Sequence, residues 1–238
     1  MNKQSPKNDQ PTPASAKAPM SMGKLIGIAL VAGAVVGTGG LYVMGGFDGN
    51  GAQVANKATD ANSGGTCEAS FEAAADLAPL MTGDIAAMAM RTQGEPIGDL
   101  SFLNADGEAL TLADTGTKYR LINLWATWCA PCREEMPWLD ELQATKGGDD
   151  FKVVAISVDG GSADKPKAFF NEVGVQNLTY YQDPTIDVFN RLKREGLAFG
   201  LPVTLLVDDA NCVIANMNGP AHWNSPDAMA LADALVGR

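Results

Sequence analysis

Residues 124–139 read LWATWCAPCREEMPWL and place two cysteines, separated by two residues, at the end of an apolar run. The preceding run, YRLINLWAT (119–127), has the composition of a buried strand, and a helical pattern over residues 132–145 follows the cysteines. FKVVAISVD (151–159) is a second apolar strand. Strand, helix and strand in this order predict a βαβ unit with parallel strands and a right-handed crossover.

Further patterns along the chain complete the predicted domain around this unit. The predicted elements are an early hairpin that turns at residues 105–107, helices at 164–173, 184–195 and 226–236, a short strand at 178–181, and a hairpin of strands 203–208 and 212–217. Together they predict an α/β domain over residues 95–238, with a mixed central sheet and helices on both faces.

The N-terminal region has the composition of a membrane anchor. Residues 1–24 carry four lysines and one aspartate, and we expect a disordered cytoplasmic tail there. Residues 25–46 contain no charge, and a helix of this length would reach about 33 Å, enough to cross a bilayer. A cleaved signal peptide is the alternative, although its apolar region is usually shorter.

A tether and a helical extension are predicted to link the anchor to the α/β domain. Residues 47–66 are rich in Gly, Ala and Asn and read as a flexible linker. Residues 67–94 are rich in Ala and Met and predict a helical extension that breaks near Pro79 or Gly83. The positive-inside rule would then place the α/β domain outside the cytoplasm, in the periplasm of a cell with an outer membrane.

The net charge excludes one class of partner. The 238 residues carry a formal charge of −11, and because the first 24 residues contribute +3, the remainder carries −14. Binding to nucleic acid through its phosphates requires a basic face. We therefore expect no nucleic-acid partner.

Three kinds of chemistry are open to Cys129 and Cys132. A structural zinc site needs four ligands, but Cys67 and Cys212 stand alone and His222 is the sole histidine, which we expect to be an ordinary loop residue. A purely structural disulfide across so short a loop would gain little stability. Redox catalysis is the third reading, and no metal or other cofactor would be needed for it.

The position of Cys129 at the start of a helix favours the redox reading. The positive end of the helix dipole and the unpaired backbone N–H groups there stabilise a thiolate and lower the thiol pKa. Cys129 would attack the disulfide of a partner protein, and Cys132, one turn deeper, would resolve the mixed disulfide. Pro131 fits the first helical turn, where its missing N–H costs nothing.

The segment LWATWCAPCREEMP resembles the active-site segment of the thioredoxin superfamily, and more narrowly that of the membrane-anchored TlpA/ResA/CcmG-type thiol:disulfide interchange proteins. The resemblance spans about residues 95–236 and includes the early hairpin, a strand–helix insertion after residue 159, and a proline that opens a late strand. The additional cysteine pair, the long anchor and GPAHW (219–223) are similar to the TlpA branch. The resemblance implies a thioredoxin-like fold.

The resemblance also implies a substrate-binding surface. Pro202 matches the cis-proline of the family, which would hold the backbone of Leu201 as an exposed edge for an extended peptide. Trp128 matches an exposed tryptophan next to the first cysteine, whereas Trp125 belongs to the core. An ordinary trans-proline and simple packing of Trp128 are the structural alternatives.

Two further residues bear on proton transfer. Glu135 matches a glutamate that assists proton transfer at the thiols of ResA-like relatives, although a solvated helix charge remains an alternative. Thioredoxin has a buried aspartate six residues before its first cysteine, where this chain has Asn123. Because an amide does not titrate, proton chemistry would have to use Glu135 or water. Pro137 matches the proline that kinks the active-site helix of thioredoxin.

The remaining cysteines, Cys67 and Cys212, are predicted to form a structural disulfide, because unpaired thiols are rare in an oxidising compartment. Free thiols or a second redox pair are the alternatives.

The resemblance implies a reductase that takes electrons from a membrane carrier of the CcdA or DsbD kind. Its recipients would be apocytochrome c, or the copper chaperones and copper-bearing subunit of cytochrome oxidase. A copper carrier on the same fold is less favoured, because such carriers use a C-x-x-x-C spacing. A disulfide-forming oxidase remains open, because reduction potential cannot be read from the sequence.

Overall fold

Eight strands form one mixed sheet in the computed structural model, which describes residues 67–238. The strands are β1 (Ala89–Met90), β2 (Ser101–Leu103), β3 (Ala109–Thr111), β4 (Tyr119–Trp125), β5 (Phe151–Ser157), β6 (Tyr181–Gln182), β7 (Val203–Val207) and β8 (Val213–Asn218). Their order across the sheet is β1-β8-β7-β4-β5-β6-β2-β3. The pairs β4–β5 and β5–β6 are parallel and all other pairs are antiparallel.

Within residues 67–238, five α-helices and three short 3₁₀ segments accompany the sheet. They are α1 (Glu68–Ala74), α2 (Ala130–Lys146), α3 (Asp164–Val173), α4 (Asp187–Arg194) and α5 (Pro226–Leu235), with 3₁₀ turns at Ala75–Leu80, Gly83–Ile85 and Leu112–Thr115. The predicted βαβ unit is present as β4, α2 and β5, and the early hairpin is present as β2 and β3.

Alternate residues of the central strands face two separate apolar cores. On β4, Leu121 and Trp125 pack with residues of α2, α3 and α5, whereas Ile122 and Leu124 pack with residues of α4 on the opposite face. Because both faces are covered, β4 reads as a continuous apolar run rather than an alternating one. The fold is the predicted thioredoxin-like α/β fold with helices on both faces.

The N-terminal extension is less helical than its sequence predicts. After α1 the chain continues in two 3₁₀ segments, one of which contains Pro79, and Gly83 adopts a φ of 51°. Proline cannot donate the bond that an α-helix needs at this position, and a positive φ ends a helical path. The last part of the extension, β1, instead pairs with β8 at the edge of the sheet.

Two other elements are shorter than predicted. The strand expected at 178–181 is reduced to β6, which pairs with β5 through only two residues. Beyond β6, the Asp183 carboxylate accepts bonds from the backbone N–H groups of Thr185 and Val188. This side chain forms the turn that delays the start of α4 to Asp187.

Cys67 and Cys212 are bonded to each other, with their Cα atoms 5.6 Å apart. The disulfide joins the start of α1 to the turn between β7 and β8, across 145 residues of sequence.

Within residues 67–238, no helix is both long and apolar enough to span a bilayer. The predicted tail (1–24), anchor (25–46) and linker (47–66) lie outside the described residues.

Candidate active site

Cys129 and Cys132 lie at the amino end of α2. Cys129 is the N-cap residue of the helix and has an extended backbone. Cys132 lies in the first turn of the helix. The two sulfurs form a disulfide. Cys129 retains 6% exposure and Cys132 none, so an incoming partner can approach only Cys129.

The loop between β4 and α2 is fixed by a buried carboxylate. Asp159, which follows β5, accepts hydrogen bonds from the backbone N–H and the hydroxyl of Thr127 and from the hydroxyl of Ser157. The β5 segment therefore determines where the chain turns into α2, two residues before Cys129. Hydrogen bonds to Asp159, just after β5, thus hold the loop that carries Cys129. The sequence alone did not predict this role of Asp159.

The Leu201–Pro202 peptide bond is cis. Val203, the first residue of β7, pairs with Leu124 near the end of β4, so the proline lies at the same end of the sheet as the cysteine loop. Trp128 is 66% exposed, and Leu201 is half-buried. The structure thus places the three predicted substrate-binding residues at the end of the sheet that carries the dithiol.

Phe199 is an exposed aromatic residue in the loop before Pro202, and the sequence did not predict its exposure. It is 74% exposed, and its backbone N–H donates to the Asn218 side chain at 2.7 Å. Its signal in the sequence was an aromatic residue in a loop, three positions before Pro202, which is too weak to interpret without the loop geometry.

Glu135 is completely buried on the inner face of α2. Its Oε1 accepts a hydrogen bond from Asn123 Nδ2 at 2.8 Å, and its Oε2 accepts from the Ala221 backbone N–H at 3.1 Å and from Trp223 Nε1 at 3.0 Å. Burial raises the pKa of Glu135 to about 7, against the opposing effect of these hydrogen bonds. The alternative of a solvated helix charge is excluded by this position.

A carboxyl group with a pKa near neutrality can both accept and release a proton under ordinary conditions. Glu135 follows Cys132 by three residues, which places the two side chains on one face of α2. A titratable carboxyl therefore lies on the buried face of α2 that also carries Cys132.

Asn123 lies where thioredoxin has its aspartate, and its amide is part of the Glu135 cluster. Besides Glu135, its Nδ2 donates to Thr204 Oγ1 at 3.1 Å. Sequence reasoning predicted that proton chemistry cannot use Asn123, but it could not find the partners Ala221, Trp223 and Thr204. Those residues lie more than 80 positions away along the chain.

His222 takes no part in this cluster. Its ring lies 4.1 Å from the ring of Trp138, and its Nδ1 is 3.7 Å from the Asp84 carboxylate. Across the described residues, 67–238, no group of three or more His, Cys, Asp or Glu side chains could hold a metal ion.

The chain is similar in sequence to a thioredoxin-like protein and to a thiol:disulfide interchange protein. The chain is 42% identical over 65 residues to the thioredoxin-like protein YneN of Bacillus subtilis, covering 27% of this chain and 38% of YneN. It is 31% identical over 127 residues to the thiol:disulfide interchange protein HelX of Rhodobacter capsulatus, covering 53% of this chain and 63% of HelX. The chain therefore spans less than two thirds of either relative.

A solved structure shares the fold. The crystal structure of a protein named as thiol:disulfide interchange protein DsbE, from Chlorobium tepidum, superposes with a TM-score of 0.50 at 25% identity, over 60% of this chain and 96% of that one. In addition, the sequence profile of the Redoxin family matches residues 92–234, which include both cysteines, Glu135 and Pro202. Since this match covers more than half of the sequence and coincides with the sheet and helices that carry the dithiol, the chain belongs to the Redoxin family.

Proposed function

We propose that the chain is a membrane-anchored thiol:disulfide oxidoreductase that reduces disulfides in partner proteins through Cys129 and Cys132. The observation that carries the proposal is the position of this pair: a marginally accessible sulfur at a helix N-terminus, a buried sulfur one turn deeper, and a buried carboxyl behind them. The similarity to HelX and to the DsbE structure supports the same reaction class.

The reaction begins with both cysteines reduced. The Cys129 thiolate attacks a sulfur of the substrate disulfide, a mixed disulfide forms, and the other substrate sulfur leaves as a thiolate that takes a proton from water. Cys132 then loses its proton to Glu135, and its thiolate attacks the Cys129 sulfur. The Cys129–Cys132 disulfide forms, the second substrate thiolate leaves, and the Glu135 proton neutralises that charge by way of solvent.

Trp128, Leu201 and Pro202 form the proposed substrate surface. An extended segment of the substrate would pair with the backbone next to Pro202, which lies at the cysteine end of β7. The exposed Trp128 would cover the apolar neighbours of the substrate disulfide.

The proposed setting is the inner membrane, with a single span at residues 25–46, a cytoplasmic N-terminus and the catalytic domain in the periplasm. The charge-free 22-residue run and the four lysines before it support this orientation. Within the family, the cysteine pair Cys67–Cys212 and the GPAHW segment favour the TlpA branch. Electrons would come from a membrane thiol carrier of the CcdA or DsbD kind.

The proposed recipients are disulfides in apocytochrome c, or in the copper chaperones or copper-bearing subunit of cytochrome oxidase. Their shared chemistry is a pair of cysteines that must be reduced before a metal can bind or haem can be attached in an oxidising compartment.

Trapping of the mixed disulfide tests the assignment of the two cysteines. Cys132→Ser should accumulate a mixed disulfide through Cys129 when it is mixed with an oxidised substrate, because the resolving sulfur is absent. Cys129→Ser is the matched control and should trap little, since Cys132 is inaccessible. Equal trapping by both variants would refute the assignment.

The reduction potential tests the direction of electron transfer. Equilibration of the 129–132 pair with glutathione buffers should give a value near that of thioredoxin, about −270 mV. A value near that of strong periplasmic oxidants, about −120 mV, would instead identify a disulfide-forming oxidase.

A further inference from the structure

The Asn123 amide contains a buried acceptor without a partner. Its Nδ2 donates to both Glu135 Oε1 and Thr204 Oγ1, whereas its Oδ1 accepts no hydrogen bond although it is inaccessible to solvent. Buried polar atoms are almost always paired, so an unpaired one in a site that carries a titratable proton calls for an explanation.

The hydrogen bonds of Glu135 determine which of its oxygens can carry that proton. Oε2 accepts two hydrogen bonds, from the Ala221 N–H and the Trp223 indole, which occupy both of its lone pairs. Oε1 accepts only the Asn123 bond and keeps one lone pair free. A proton therefore binds at Oε1, the oxygen that faces Asn123.

A protonated Oε1 no longer suits the observed amide orientation, but a turned amide fits it. Rotation of the Asn123 amide by 180° places Oδ1 where Nδ2 lies, within hydrogen-bond distance of both Oε1 and Thr204 Oγ1. Oδ1 then accepts from the Glu135 O–H and from the Thr204 hydroxyl, which can act as donor or acceptor. Each orientation thus gives two hydrogen bonds, one set for each state of Glu135, and the amide atom that faces away from Glu135 lacks a partner in both.

We propose that Asn123 is a positioning residue whose amide turns with the protonation state of Glu135, so that the buried carboxyl is hydrogen-bonded both before and after it takes the Cys132 proton. In that step the Cys132 S–H bond breaks and an O–H bond forms at Oε1. The inference rests on the role of Glu135 in the proposed function. An aspartate at position 123 would add a second negative charge instead.

Glu135 has no charged neighbour among its hydrogen-bond and ion-pair partners in the described residues. Among residues 67–238, no charged side chain makes a hydrogen bond or an ion pair with Glu135. On α2, Arg133 and Glu134 are exposed, and His222, which lies between the two donors of the neighbouring loop, faces Asp84. Cys132 is the one other titratable group on the buried face of this turn, and it does not titrate while the disulfide is intact.

The test compares two variants of the oxidised full-length chain in detergent, in which no cysteine titrates. The pKa of Glu135 is measured by NMR of ¹³C-labelled glutamate carboxyls, with Glu135→Gln identifying the resonance. Trp223→Phe removes a donor that cannot reverse its role, and it should raise the pKa by about one unit or more. Asn123→Leu should shift the pKa by less than half as much, because it removes one bond from each protonation state. A shift after Asn123→Leu as large as that after Trp223→Phe overturns the proposal.

The wild-type protein provides a second measurement that needs no folded variant. The nuclear Overhauser effect between the Asn123 amide protons and the Thr204 methyl group should be strong above the pKa of Glu135 and weak below it. If the nuclear Overhauser effect does not change with pH, the proposal that the amide turns is wrong. If Glu135→Gln reduces a substrate disulfide as fast as wild type, the proton-transfer role in the proposed function fails, whereas the turning of the Asn123 amide in the wild-type protein is still decided by the nuclear Overhauser effect.

Discussion

Replacing Glu135 by glutamine should remove a pH dependence from the folding stability. The carboxyl is fully buried, and desolvation raises its pKa from 4.5 to about 7 even though Asn123, Ala221 and Trp223 donate hydrogen bonds to it. The folded protein therefore holds this proton more tightly than the unfolded chain does. Its stabilising contribution is complete below pH 4.5 and is lost as the pH rises through 7.

The size of the effect follows from the two pKa values. A difference of about 2.5 pKa units, at about 1.4 kcal/mol for each, amounts to about 3.5 kcal/mol in total, of which about 3 kcal/mol falls between pH 4.5 and pH 8. The wild-type protein should lose about this much free energy of unfolding between pH 4.5 and pH 8 in excess of any change shared with the variant. Glutamine keeps the shape and carries no charge at any pH in this range.

Urea titrations of the oxidised protein at a series of pH values, followed by tryptophan fluorescence, measure this difference. The stability of Glu135→Gln relative to wild type should rise by about 3 kcal/mol from pH 4.5 to pH 8. Glu134→Gln is the matched control, because Glu134 is the exposed neighbour on the same helix turn. If the plots of stability against pH for wild type and Glu135→Gln stay parallel across the range, the inference that the buried carboxyl holds a proton is refuted.

Three further predictions concern the surroundings of the dithiol. The double variant Cys67→Ser/Cys212→Ser should lose up to about 5 kcal/mol of unfolding free energy in urea titrations, because the disulfide closes 145 residues of chain. The equilibrium of the 129–132 pair with glutathione should stay unchanged. A changed equilibrium would indicate that Cys67 and Cys212 form a second redox pair. Trp128→Ala should change stability by less than about 0.5 kcal/mol, since the side chain is 66% exposed, yet slow the reduction of protein disulfides more than that of a small disulfide. Asp159→Asn should cost about 1–3 kcal/mol, because the amide nitrogen cannot accept the hydrogen bonds that the replaced carboxylate oxygen accepts from Thr127 or Ser157. A variant as stable as wild type would contradict the fixed loop.

The elements that flank the cysteines and the early hairpin were predictable because local patterns determine them. The apolar run of β4, the helical pattern of α2 and the Asn-Ala-Asp-Gly turn between β2 and β3 each depend on neighbouring residues. The N-terminal extension was harder, because its Ala- and Met-rich spacing favours a helix while Pro79 and Gly83 interrupt it. The pairing of β1 with β8 joins residues about 125 positions apart and leaves no local signal.

The candidate site divides in the same way. The two cysteines, Trp128 and Pro202 were identified from short motifs, and so was Glu135 by its spacing from Cys132. The side chains that set the chemistry of Glu135 were not, because Thr204 and Trp223 reach it only once β7 and the loop before α5 are in place. Asp159 was missed for the same reason, since an aspartate after a strand is common and its bonds to Thr127 depend on the β4–β5 register.

The replacement of a strand carboxylate by Asn123 has a physical consequence for the site. With a second carboxylate on β4, two acids 2.8 Å apart would share one proton, and one of them would titrate far from neutrality. The amide supplies the hydrogen bond without the charge, so Glu135 titrates alone and stays near pH 7. The acid is then carried by the same helix as the sulfur it serves, three residues after Cys132, and its distance from that sulfur is fixed by one turn of α2 rather than by the packing of helix on sheet.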